Sequence, residues 1–222
     1  MKPQYDLLGK SHYALAVICD LLALLHPEGC QVQIVTNIAE EQNTSRAQAF
    51  SVTGIDAVTI PSHEYQPDPA VPKILASIGK ARYAIYRHFE TQHGIGAEQY
   101  QTLVHPAAVI GAEVSLGHGV HVGPGATIAP YASLGDFCVV NRQASVGHHS
   151  HLDAYVCLNP GVTLAGVCTL GAHVTVGAGA TIIDQIRIGS HSMIGAGSVV
   201  TREIPEKVVA YGVPARVVRT ID

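Results

Sequence analysis

The sequence has no tryptophan, only three phenylalanines, and 13 lysines and arginines together in 222 residues. A nucleic-acid binder needs a basic footprint and aromatic platforms for the bases, and a net charge of −4 with 5% aromatics supplies neither. Cysteine is also scarce. The five present are odd in number and contain no Cys-x-x-Cys pair, which excludes a disulfide framework and fits a reducing, cytoplasmic setting. Membrane-spanning runs are missing as well. The apolar run 14–25 is interrupted by Asp20, is too short to cross a bilayer, and is followed by no small-residue cleavage motif. It is expected to be a buried helix. A small or nucleotide-bearing ligand fits this composition better than nucleic acid or lipid.

What the chain has instead is a repeat. From Val104, every sixth residue is aliphatic through Ile110, Leu116, Val122 and onward to Val200, without an exception. Two residues before each stands something small or β-branched, such as Ala126, Cys138, Ser150, Val162 or Cys168. Both columns must face one core, while the residue between them, often Ser, Thr or His, points outward as strand alternation requires. The residue after each aliphatic is Gly at nine positions (111, 117, 123, 135, 147, 171, 177, 189, 195) and Asn141, Asp153 or Asn159 at three more. These residue types tolerate positive φ, so the chain is expected to bend at them. Three short strands per turn give an eighteen-residue coil, and roughly five coils of a parallel β-helix. An antiparallel sandwich, with hairpins at irregular spacing, would not keep this register.

The period begins only after about residue 100, so two domains are expected, 1–101 and 102–222. In the first, strands are predicted over 5–8, 31–36, 55–60 and 72–78, with helices over 14–25 and 81–92. Alternating β and α elements imply a small parallel, Rossmann-like sheet. Ligands of such sheets bind at the carboxyl ends of the strands, where helix N-termini receive phosphate, and Ser11, His12, Gly79 and Lys80 fall there. The turn lacks a full Gly-x-Gly-x-x-Gly, and Thr36-Asn37 stands where a ribose-binding acid is expected.

Within the repeat, the segment 141–151 (Asn-Arg-Gln-Ala-Ser-Val-Gly-His-His-Ser-His) breaks the bland pattern with polar groups. An imidazole at His148, just past a bend, suits general-base chemistry near neutral pH. His118, His121, His173 and His191 are expected to be solvated surface residues. Cys138 and Cys168 fall on the inward column as apolar filler, whereas Cys157 points outward with no basic neighbour to make it a nucleophile. After the last coil comes Gly212-Val213-Pro214-Ala215-Arg216, in which Arg216 can meet a phosphate.

Taken together, these motifs resemble the PglD/NeuD-like sugar acyltransferases across both domains. Those proteins are similar in an N-terminal α/β domain opening on a Gly-x-Ser-Gly-His turn, a link like Leu103-Val104-His105-Pro106, a left-handed β-helix, and a Gly-x-Pro-Ala tail. The resemblance implies that the N-terminal domain binds a sugar nucleotide and that acetyl-CoA is the cosubstrate. It implies no metal, no membrane span, and a homotrimer holding acetyl-CoA between neighbouring β-helices. The family's Asn-x-x-x-x-Val-Gly-His stretch falls on 141–148, which implies Asn141 as a substrate contact and His148 as the general base. The carboxylate usually next to the base is His149 here. Cofactor contacts are implied at Cys157, which replaces a family His, and at Gly166, Ala178, Ala196 and Arg216. Substrate contacts are implied at Ser11, His12 and Gly79, where the turn is one residue shorter than the family's.

The function so implied is transfer of an acetyl group from acetyl-CoA to an amino group of a nucleotide-linked amino sugar destined for a surface glycan. O-acetylation of a sialic-acid-like sugar would use the same base. A zinc β-helix related to the γ-carbonic anhydrases would need a second His five residues after His148, where Asp153 stands, and ligands from the preceding coils, where Pro130 and Ala112 stand. A β-helix that only scaffolds is the remaining alternative.

Overall fold

The computed structural model describes residues 2–37, 52–77, 79 and 81–221. The chain divides into two units, Met1–Gln101 and Thr102–Asp222.

In the first unit, four parallel strands stand in the order β3-β2-β1-β4, with β1 Gln4–Leu8, β2 Cys30–Thr36, β3 Ile55–Pro61 and β4 Lys73–Leu75. Helix α1 (His12–Leu25) starts at Ser11, whose hydroxyl accepts the Ala14 N–H at 3.5 Å. It buries Leu15, Ile18 and Leu22 and leaves Asp20 in solvent, so the charge inside the apolar run faces away from the sheet. Helix α2 (Ala81–His93) buries Ile85 and Phe89. The fourth strand is shorter than expected because its partner β1 ends at Leu8, which is opposite Leu75. Ile78 lies outside the described residues. Lys73 was not legible as a core residue, yet it is fully buried. Its ammonium lies 3.0 Å from Asp6 Oδ2 and donates to the carbonyls of Asp68 and Val71 at 2.6 Å. Tyr65 O–H donates to the same carboxylate, and burial together with Asp6 pushes that phenol up. This network ties the connection before β4 to the sheet.

The second unit is a left-handed parallel β-helix. Seventeen two-residue strands, β5 (Leu103–Val104) to β21 (Val199–Val200), stack onto three faces. The first face carries Val139–Val140, Cys157–Leu158 and Thr175–Val176; the second Ser145–Val146 and Thr163–Leu164; the third Ser133–Leu134 and His151–Leu152. Partners are eighteen residues apart, as in Ser145 opposite Thr163. From Val122 onward the aliphatic column is at most 3% exposed, and Cys138 and Cys168 are fully buried beside it. The first coil is open, with the core-column residue Ile110 37% exposed, whereas the far end is closed by Ile204, Val208 and the hairpin β22 (Val208–Gly212) to β23 (Ala215–Thr220).

The glycine column does something other than expected. None of those glycines has positive φ; the left-handed residue stands two positions later, at Phe137, Gln143, His149, Tyr155, Val167 and His173 among others. The glycine is required because the next coil passes directly over it. A Cβ on Gly135 would lie 2.8 Å from the Ala154 nitrogen, and one on Gly189 only 2.4 Å from that of Glu206. A non-glycine residue in the left-handed region costs on the order of 1 kcal/mol. Burying one Leu, Ile or Val per hexapeptide returns about 1.5–3 kcal/mol, so the core term wins.

The left-handed residues of one corner form a stack of rings: Phe137 on Tyr155 (centroids 5.0 Å), Tyr155 on His173 (4.9 Å) and His173 on His191 (4.7 Å). His173 is therefore not the solvated surface residue expected; it is half-buried between two rings. Burial, and then the adjacent His191, hold it below its ordinary value of 6.5. The folded ring thus binds its proton less tightly than the unfolded one, so stability is full above pH 6.5 and falls as the pH drops below it. His173→Phe is expected to keep the stack and flatten this loss of melting temperature between pH 7.5 and 5. Gly135→Ala, by contrast, should cost about 1–3 kcal/mol at every pH, measured by urea unfolding.

Candidate active site

The second and third faces meet at a corner formed by residues 147–150, and one coil later by 165–168. The corner is fixed from inside. Gly147 N–H bonds Leu164 O and Val167 N–H bonds His148 O, each at 2.8 Å. Ser150 occupies the inward column at 1% exposure, where its hydroxyl donates to Ala165 O and accepts the Cys168 N–H, both at 3.1 Å. His148 and His149 project outward from this anchored turn.

Their rings stand nearly perpendicular, at 86° with centroids 5.3 Å apart, and the two Nδ1 atoms are 3.1 Å apart. One Nδ1 must donate and the other accept. If His148 Nδ1–H donates, its Nε2 carries a lone pair and can take a proton; the reverse order would block it. The His148 Nε2 lies over Gly166, where a Cβ would come within 2.7 Å of it, so glycine at 166 is what leaves room for the ring. Among the described residues no hydrogen bond engages that nitrogen.

Two further features of this corner were missed in the sequence. Tyr131, one coil earlier, stacks on His149 at 4.9 Å and 30°. Ser133 Oγ lies 2.7 Å from His151 Nδ1, while His151 Nε2 lies 2.9 Å from Asp153 Oδ1, so both nitrogens of His151 are engaged. Adding one coil length would have found both, because 131 and 149, like 133 and 151, differ by eighteen. Among the described residues, no group of three or more His, Cys, Asp and Glu is placed to hold a metal ion.

The other expected site residues fall elsewhere on the prism. Asn141 starts the corner between the first and second faces, its Oδ1 accepting the Arg142 N–H at 2.8 Å. Ala178 and Ala196 share that corner in later coils, the Gly197 N–H bonding Ala178 O at 2.9 Å. Beside them the left-handed positions are Gly161, Gly179 and Gly197, and Cβ atoms at the last two would meet nothing within 4 Å. Cys157 is half-buried on the first face. Arg216 lies in β23, opposite Tyr211. One chain brings His148, His149 and Gly166 together but leaves these residues at another corner or face.

In the first unit, Ser11 caps α1, His12 is its first residue and Gly79 has φ +56°, all beyond the carboxyl ends of the strands. Lys80 lies outside the described residues. Thr36 ends β2 and is buried. A groove of about 770 Å³ lies on the other half of the sheet, lined by Gln4, Gln31, Gln33, Asp56 and Asp68, and contains none of those residues.

Residues 167–202 match the family described as bacterial transferase hexapeptide (six repeats). No curated protein matches the chain. A histidine variant of perosamine N-acetyltransferase from Caulobacter crescentus, in complex with CoA and GDP-perosamine, is 28% identical; the match covers 99% of this chain and 98% of that one, with a TM-score of 0.74. The acetyltransferase domain of PglB from Neisseria gonorrhoeae is 25% identical over 98% of this chain and 100% of that one, with a TM-score of 0.79. WeeI from Acinetobacter baumannii, at 20% identity, 98% and 100% coverage and a TM-score of 0.79, shares the fold. Fold, corner and comparisons define a hexapeptide-repeat acyltransferase. Within that class, the likeness to sugar N-acetyltransferases runs over both units of the chain, in keeping with the resemblance to the PglD/NeuD-like sugar acyltransferases.

Gly166→Ala tests the corner. The imidazole is the movable partner in the 2.7 Å contact, so the fold should survive while the displaced ring slows acyl transfer about 10²-fold, read as kcat beside an unchanged melting temperature.

Proposed function

We propose that this protein transfers the acetyl group of acetyl-CoA to an amino group of a nucleotide-linked amino sugar, with His148 as general base. The observation that carries the reading is the His148–His149 pair, which orients one imidazole through Nδ1 and leaves its Nε2 open above Gly166. His148 Nε2 takes the proton of the acceptor amine as that nitrogen attacks the thioester carbonyl; the tetrahedral intermediate then collapses with cleavage of the C–S bond, and the departing CoA thiolate takes that proton back from His148. His149, carrying its own proton on Nε2, accepts the His148 Nδ1–H throughout and so fixes the tautomer.

Residues of two corners are needed for this reaction, and a homotrimer supplies them by setting one chain's first-to-second corner against another's second-to-third corner. The bare corner at Ala178, Gly179, Ala196 and Gly197 then receives the pantetheine arm, with Cys157 and Arg216 nearer its ends. Asn141 and the Ser11, His12 and Gly79 region serve the sugar nucleotide. Such a substrate is made where thiols stay reduced, in keeping with five free cysteines.

The test is thiol release from acetyl-CoA against a panel of nucleotide-linked 4-amino sugars. His148→Ala should lower kcat by about two to four orders of magnitude with acetyl-CoA affinity nearly intact. Near-wild-type turnover would remove His148 from the mechanism.

A further inference from the structure

A carboxylate beside a catalytic imidazole is a forgiving acceptor, because its two oxygens offer about four lone-pair sites. An imidazole offers one, lying in the plane of its ring. With His149 in that place, the bond to His148 forms only when the His149 ring plane is aimed at the His148 Nδ1. His149 is an exposed side chain on a corner, so something outside the pair must set that plane.

Tyr131 is placed to do so. It occupies the same corner one coil earlier and shares the left-handed conformation, with φ 62° against 57° for His149. The two side chains therefore leave the backbone in the same direction, and the coil repeat sets one ring over the other at 4.9 Å and 30°. His149 N–H bonds Pro130 O at 3.2 Å, which fixes the backbone of one to that of the other. The ring of His149 then meets His148 edge-on, at 86°, with the Nδ1 atoms 3.1 Å apart. Tyr131 itself is 57% exposed and fills no part of the core.

We propose that Tyr131 is the positioning residue of the base, holding the plane of His149 by stacking so that a Tyr131–His149–His148 series replaces the usual carboxylate–histidine pair. This rests on His148 as the base. The flat face of the ring is the operative part, and the phenol is not.

The experiment compares steady-state kinetics and imidazole ¹⁵N shifts across one variant series. Tyr131→Phe should match wild type. Tyr131→Ala and Tyr131→Leu should each lower kcat about 10-fold, with both KM values and the melting temperature unchanged, the rate that loosening one orienting contact forfeits. Tyr131→Ala in a His149→Ala background should cost nothing further, since the two act as one unit. The ¹⁵N shifts should report one fixed tautomer for each of His148 and His149 in wild type and Tyr131→Phe, and averaging in Tyr131→Ala. Losses that add in the double variant, a raised acceptor KM at constant kcat, or fixed tautomers in Tyr131→Ala would each overturn the positioning role; a raised KM would mean the ring touches the sugar. Full activity in His148→Ala would instead overturn the base assignment, and the ¹⁵N shifts would still report whether Tyr131 orders the pair.

Discussion

The solenoid depends on the hydrogen-bonded spacing between one coil and the next, about 4.8 Å in any β-ladder. Bonds such as Ser145 N–H to Val162 O and Gly147 N–H to Leu164 O, both 2.8 Å, impose it at every face. At corners such as Gly135, Gly147 and Gly189 that spacing leaves no room for a Cβ. It also equals a comfortable separation for stacked rings, so the left-handed column turns into ring stacks at 4.7–5.0 Å with no further design. Core, glycine column and site geometry thus follow from one repeat distance.

The fold was legible because a hydrophobic residue every six positions leaves no other way to bury the column. The role of the glycines was not. Glycine signals both positive φ and close approach, and only coordinates tell the two apart; here Gly147 answers to the second and His149 to the first. Lys73 escaped notice for a related reason, since a charged residue in a strand reads as solvent-facing until its three oxygen partners are visible.

The site was legible in part. His148 stood out by its neighbours and by family resemblance, and the structure adds the contact that makes His149 more than a neighbour. Tyr131 and Ser133 are hidden at a spacing of six, which brings inward residues into line and scatters outward ones over three faces. Read in eighteens, Tyr131 falls beside His149 and Ser133 beside His151. Ala178 and Ala196 share the six-residue phase of His148 yet lie at another corner, and Asn141 and Cys157 differ from it even in that phase, so these positions form no single cleft in one chain.

Two periods therefore govern this chain with different strictness. The core is blind to the removal of a hexapeptide, because the aliphatic column closes up in phase and every buried residue finds an equivalent neighbour. The corner chemistry is not. Six residues removed between Tyr131 and His149 would carry the two rings to different edges of the prism, whereas removal of a whole coil outside 131–166 would leave them stacked. Length variation in such a protein is thus quantised twice: in units of six for a chain that folds, and in units of eighteen for one whose corner still holds its imidazole pair.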